Sequence, residues 1–272
     1  RTKIKQMLDG KYEDVLNRYS KELADMRELF LKEKDNPPIA RNMPENAGKI
    51  AWARSITGRI KAPIDKFKTK VKKLQADHFM EVAKKYVDLA KMLDKEYEAT
   101  IYENWVKNNR EMVIKKLENN ILTASPGQNG KKTYQVNFDP ELKVTIREAK
   151  FLSQIGKDIP ATITNIALQE KDYMRHQDKL QQLLRAYDGA LDGLKPVECR
   201  LLKNEILKLN RFMDKGAENH NWFSLSIDQY IQECKGAIDT FNEKKNTVVE
   251  YAKHIDMNVV NLECAQIIKQ LD

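Results

Sequence analysis

Apolar residues recur along most of this chain at alternating spacings of three and four, the mark of helices that bury one face. Tyr12, Leu16, Tyr19, Leu23, Met26 and Phe30 follow that rhythm and predict a helix over roughly residues 9–34. Asn36–Pro44 stops it, because Pro37 and Pro38 have no amide to donate and hold their predecessors extended. Beyond this corner Ile50, Ala53, Ile56, Ile60, Ile64, Phe67, Val71 and Leu74 resume the pattern, with a kink expected at Pro63. Neither Gly nor Pro occurs from Ile64 to Ser125. Val82, Tyr86, Leu89, Leu93, Tyr97, Ile101, Trp105, Met112 and Leu117 there predict one very long helix or two, ended by Ser125-Pro-Gly-Gln-Asn-Gly130.

Thr133–Phe138 alternates in character and is the one good strand candidate, expected to pair with another extended segment or to lie on a helix. Asp139-Pro140-Glu141 then reads as a helix start, with an N-cap, a proline at the first helical position and an acid in the first turn. That helix should stop at Gly156. Further helices are expected over about 160–191, ending near Gly189–Gly193, over about 196–215 with Gly216 as its cap, and over about 226–272. In the last, Cys234, Ile238, Phe241, Lys245, Val248, Ala252, Ile255, Val259 and Leu262 sustain the spacing of a coiled-coil-like seam. The expected architecture is all-α: elongated, successive helical bundles with one short strand or hairpin near 132–138. The expected division is a bundle over 1–125, a loop and strand over 126–138, and a second bundle over 139–272.

Composition fits a helix-rich protein: of 272 residues 32% are charged and 8% aromatic, with only ten Gly and eight Pro. The net charge of +8 invites a nucleic-acid reading, but 48 basic residues are interleaved with 40 acidic ones, as on solvated helix faces. Even the densest basic run, Lys66-Phe-Lys-Thr-Lys-Val-Lys-Lys73, flanks an apolar stripe and has no aromatic platform for bases. Cys199, Cys234 and Cys264 are odd in number and far apart, and are expected to be buried reduced thiols. No apolar run approaches a membrane span, so no membrane partner is expected. The chain opens in mid-pattern at Arg1 and reads as a piece of something longer.

No catalytic constellation stands out in the sequence. Gly127-Gln-Asn-Gly130-Lys131-Lys132 has its glycines too close, Lys132 in place of the hydroxyl, and a strand where a phosphate loop needs a helix. His78, His176, His220 and His254 form no metal-ligand spacing, and no nucleophile elbow surrounds Ser224 or Ser226. Trp52, Trp105 and Trp222 read as core anchors.

Several ordered stretches resemble the tail of the dynein heavy chains. They are Asn36-Pro-Pro-Ile39 with Arg41-Asn42, Pro44, Ala47-Gly48, Ile50, Trp52, Arg54 and Arg59-Ile60; then Val136-Asn-Phe-Asp-Pro-Glu-Leu142. Arg147-Glu-Ala-Lys150, Leu152 and Ile155-Gly-x-x-Ile-Pro160 continue that block, and Trp222-Phe-Ser-Leu-Ser-Ile-Asp-Gln-Tyr-Ile231 follows. The corner and the Asn-Phe-Asp-Pro junction look closer to the axonemal branch. The resemblance implies a stem segment with no chemistry and no cofactor of its own, in a parent motor whose ATPase ring and microtubule-binding stalk lie further on. It implies intermediate chains, light chains, neighbouring heavy chains and docking or assembly factors as partners, with no nucleic acid, and a place in the cytoskeleton of the cytoplasm or the ciliary axoneme.

Within that frame Pro37, Pro38, Asn42, Trp52 and Arg54 are expected to fix a bundle corner, and Asn137, Asp139 and Pro140 a strand-to-helix junction. Lys66, Lys70 and Lys73 are the candidates for an electrostatic partner contact. The alternative is an independent helical adaptor or tether, which nucleotide-loop motifs further along the parent chain would rule out.

Overall fold

The computed structural model describes residues 2–70, 77–127, 130–254, 264 and 266–269. Among them the regular structure is helical apart from one hairpin: α1 (Thr2–Glu33), α2 (Glu45–Lys70), α3 (Asp77–Lys91), a π-helical segment (Met92–Glu98), α4 (Ala99–Glu118), β1 (Leu122–Pro126), β2 (Lys132–Val136), α5 (Pro140–Gln154), α6 (Ala161–Leu168), α7 (Glu170–Leu191), α8 (Pro196–Leu201), α9 (Lys203–Glu218) and α10 (Ile227–His254). The all-α expectation with a single hairpin holds. The chain forms two compact units, each made of two segments: Arg1–Met112 with Lys143–Ala167, and Val113–Leu142 with Leu168–Asp272. This differs from the expected sequential division, because residues 143–167 join the first unit and 113–125 the second.

In the first unit α1 buries Leu16, Tyr19, Leu23, Met26 and Phe30 against Ile56, Ile60 and Ile64 of α2 and Val82 and Leu89 of α3. These are the stripe positions read from spacing. The Phe67 side chain, Val71 and Leu74 lie outside the described residues. Pro63 sits inside α2, where it removes the amide that would reach the Arg59 carbonyl. The Tyr19 phenol donates to the next carbonyl, that of Ile60, at 2.5 Å. A second cluster joins Ala47 and Ile50 of α2, Trp105 of α4, Ala149 and Leu152 of α5, and Ile163 of α6.

The π-helical segment explains a local irregularity in the pattern. Leu93, Tyr97, Ile101 and Trp105 are spaced four apart, wider than the mean turn of an α-helix. A π turn adds about one residue, since its bonds reach i→i+5, and so keeps Leu93 and Trp105 buried.

In the second unit β1 and β2 pair antiparallel, Leu122 opposite Val136 and Pro126 opposite Lys132. The expected long helix therefore ends at Glu118, not near Ser125. Ile121 and Leu122 are fully buried, and the Ile121 amide donates to the His220 carbonyl at 2.9 Å. A two-stranded hairpin is marginal alone; this one packs against α7 and α9, while α10 packs on α7, α8 and α9. Tyr134 Oη donates to Asp214 Oδ1 (2.8 Å), which also holds Lys132 Nζ, and Asn210 accepts from Tyr187 Oη (2.8 Å) while donating to the Gly130 carbonyl. Burial raises the pKa of both Tyr134 and Tyr187, so these phenols stay protonated and act as donors. Lys132 is thus a structural cation of the hairpin.

Helix ends follow local chemistry. After α5, Gly156 takes φ +80°, with Gly156 N–H bonded to Ser153 O and Lys157 N–H to Leu152 O, a Schellman stop. After α7, Gly193 takes φ +72°, and Lys131 and Lys245 donate to the last carbonyls, as cations at a helix C-terminus should. The expected 160–191 helix is two, because Gln169 (ψ 2°) leaves the helical region and its side chain accepts from Tyr173 Oη at 2.8 Å. The expected 196–215 helix breaks likewise at Leu202 (ψ 7°). Gly216 is no cap: it lies inside α9, where a Cβ would meet Tyr230 Oη at 2.4 Å. In α10, Cys234, Ile238 and Phe241 are buried as the seam requires, Lys245 and Val248 are half-buried, and the Ala252 side chain, Ile255, Val259 and Leu262 lie outside the described residues. Cys199 and Cys234 are buried free thiols, but Cys264 is exposed, contrary to the expectation for all three.

Candidate functional site

The corner after α1 is built from both segments of the first unit. Pro37 is buried and Pro38 exposed, and the turn brings Ile39 onto Gly48, where a Cβ would lie 2.3 Å from Ile39 Cγ2. Glycine is needed here for close approach, although its φ is ordinary. Trp52 stacks on Phe30 with centroids 5.8 Å apart, and Tyr97 closes both rings edge-on. The Tyr97 hydroxyl donates to the Lys34 carbonyl at 2.7 Å, tying the π-helical segment to the end of α1.

Arg54 is the polar pivot. Its guanidinium holds Glu98 from Nε (3.1 Å) and Nη2 (2.6 Å) and reaches the Ile155 carbonyl through Nη1. Lys157 adds a second cation to Glu98 at 2.8 Å. Burial pushes the Glu98 carboxyl up, but the hydrogen bonds and charges of Arg54 and Lys157 outweigh it and hold the group below the usual range. Asn42 is exposed and offers its carbonyl to Arg147 Nη2 at 2.7 Å. Pro44, before α2, has no capping side chain; Glu148 on α5 accepts from the Ala47 amide at 2.5 Å instead. Burial raises this carboxyl despite those helix-end bonds.

The junction in the second unit has the same character. Asp139 Oδ1 caps α5 by accepting from Glu141 N at 2.8 Å, Oδ2 pairs with Lys116 at 2.8 Å, and Pro140 takes the first helical position. Asn137 bridges three ways: its amide to Ile121 O, its side chain to Asn120 O, and its carbonyl accepting from Trp222 Nε1 at 2.7 Å. Trp222 is 3% exposed and meets Phe138 edge-on at 4.8 Å. Asn120 pairs with Asn221, completing the link between hairpin and loop.

The structure therefore brings the corner onto the 147–157 block, and Asn137 and Phe138 onto the Trp222 loop. Sequence reasoning did not single out Glu98, Glu148, Lys157 or Asn120, whose partners are 17 to 101 residues away along the chain. Of the basic trio, Lys66 is exposed on α2 and has an interaction partner, whereas the Lys70 side chain and Lys73 lie outside the described residues. Trp105 is buried; His220 lies against the Tyr230 ring at 4.8 Å, and His176 is 3.5 Å from Asp228. No group of His, Cys, Asp and Glu among the described residues could hold a metal ion, and no described helix is long and apolar enough to cross a membrane. Chemically, the corner and the junction are staples: their donors and acceptors meet each other.

A family model described as "Dynein heavy chain, N-terminal region 1" matches residues 1–230. The chain is 31% identical over 251 residues to dynein axonemal heavy chain 10 of Homo sapiens, and 30% identical over 245 residues to dynein axonemal heavy chain 8 of Mus musculus. It is also 30% identical over 263 residues to the dynein gamma chain, flagellar outer arm, of Chlamydomonas reinhardtii. These alignments cover 90%, 90% and 95% of this chain but only 6%, 5% and 6% of the relatives' length. The chain belongs to the dynein heavy chain family, and matches its N-terminal region.

Proposed function

We propose that this segment is a non-catalytic part of a dynein stem, one that transmits force and holds accessory chains. The observation that carries the reading is the pairing of the family-like stretches into internal staples, with Arg54, Glu98 and Lys157 consumed by one another. A force-transmitting piece needs helices locked at their corners, and both staples lock a helix end. The partners proposed are intermediate and light chains, neighbouring heavy chains, and docking or assembly factors, with Lys66, Lys70 and Lys73 as one electrostatic contact. The place proposed is the ciliary axoneme, in line with the axonemal and flagellar relatives. ATP hydrolysis is assigned to the parent chain, and this segment takes no cofactor.

The test is capture by the immobilised 272-residue chain, with circular dichroism confirming its helices. Retention of dynein intermediate chains or of a neighbouring heavy-chain tail supports the proposal. A folded chain that retains none of them, or one that hydrolyses ATP by itself, overturns it.

A further inference from the structure

A groove of about 680 Å³ runs between α1 and α3 in the first unit. Its α1 wall carries short side chains, Asn17, Ser20 and Ala24, so the helices leave a slot where longer residues would close it. The floor is apolar, formed by Leu23, Ala24, Leu89 and Met92. Its rim is basic: among the described lining residues, Lys21 and Arg27 on α1 and Lys85 on α3 stand against one acid, Asp88. Lys85 is engaged by Glu81 at 3.0 Å and by Ser20 at 3.3 Å, whereas Lys21 and Arg27 make no ion pair among the described residues. The groove between α9 and α10 in the second unit differs, since Glu205–Lys244 (2.7 Å) and Glu233–Lys215 (3.5 Å) satisfy its charges internally.

We propose that the α1–α3 groove docks an acidic amphipathic helix of a partner chain. From Asn17 to Arg27 the wall is about 15 Å long at 1.5 Å per residue, room for nearly three helical turns. Leucine-like side chains at three- and four-residue spacing fill the floor, and carboxylates on the flanks meet Lys21 and Arg27. A basic helix would place like charges along the same rim. This inference concerns the surface itself and holds whether or not the segment serves as a motor stem.

The probe is a fluorescein-labelled peptide with Leu at helical three- and four-residue spacing and Glu at most other positions, titrated with the intact chain by anisotropy. Saturable binding is expected, weakened about tenfold by Lys21→Glu with Arg27→Glu, and also by the charge-neutral Ala24→Gln at the floor. Arg110→Glu, exposed on α4 away from the groove, should leave it unchanged. All four positions are exposed, so the variants keep their helicity, which circular dichroism verifies. Equal binding of a peptide with Lys in place of Glu, or of one with Gln in place of Leu, overturns the proposal. So does unchanged binding by the groove variants, or no saturable binding at all. Sedimentation with phosphatidylserine vesicles that depends on Lys21 and Arg27, while the peptide fails to bind, assigns the rim to a lipid surface instead and likewise overturns it.

Discussion

Glu98 and Glu148 are both buried carboxylates of the first unit, yet they respond to burial in opposite directions. Glu98 has two cations in contact and is held below its ordinary value of 4.5. A depressed carboxyl contributes stability above its unfolded pKa and loses it as pH falls through the folded one. Thermal melts of the wild type should therefore lose stability as pH drops below 4.5, and Glu98→Gln should flatten that part of the profile. At neutral pH the same variant should cost about 1–2 kcal/mol, less than for a fully buried pair because Arg54 is 39% exposed. Glu148 has only helix-end donors, and desolvation raises its pKa. Its sign is reversed: the protonated form favours folding, and stability falls as pH rises from 4.5 through the folded value. Glu148→Gln keeps an acceptor for the Ala47 amide while removing the buried charge. Melts between pH 5 and 8 should find this variant at least as stable as wild type, and its loss of stability with rising pH reduced.

At the scale of elements, the buried stripes of α1, α2 and α10 were legible because one helix face at three- and four-residue spacing needs only local information. The Asp139-Pro140 start and the Gly156 stop were legible for the same reason. Gly216 was not: a glycine near a helix end reads as a cap, and only packing reveals that it admits Tyr230. A close-packed glycine and an open one inside a helix predict opposite mutational signs. Ala at Gly216 gains about 1 kcal/mol of helix propensity but forces contacts of 2.4 Å with Tyr230 Oη and 2.9 Å with Leu122 Cδ1. Overpacking of that kind costs about 1–3 kcal/mol, so Gly216→Ala should lower the melting temperature. Gly189 is exposed inside α7 with nothing within 4 Å of a built Cβ, and Gly189→Ala should raise it. Denaturant melts of the pair check both signs against one wild-type curve.

For the whole molecule, a linear reading divides the chain at the polar, glycine-containing break after Ser125, and that is where the sequence misleads. Gly127–Gly130 joins the two strands of a hairpin instead of two bundles. Membership in a unit depends on pairings such as Glu148 with Ala47 and Trp222 with Asn137, across 101 and 85 residues, and no local pattern encodes them. The consequence is testable by cutting the chain. A protease site inserted directly after Gly127, which follows β1 and is exposed, falls where insertions are best tolerated. Cleavage there leaves fragments 1–127 and 128–272. Each is needed in both units, since the first unit takes 143–167 from the second fragment and the second takes 113–127 from the first. The nicked protein should elute as one species in size exclusion and keep its helical signal, and its fragments should separate only in denaturant. Two bundles arranged in sequence would need no such exchange of segments. Fragments that part under native conditions, each with its helices intact, would therefore contradict the two-segment division of both units.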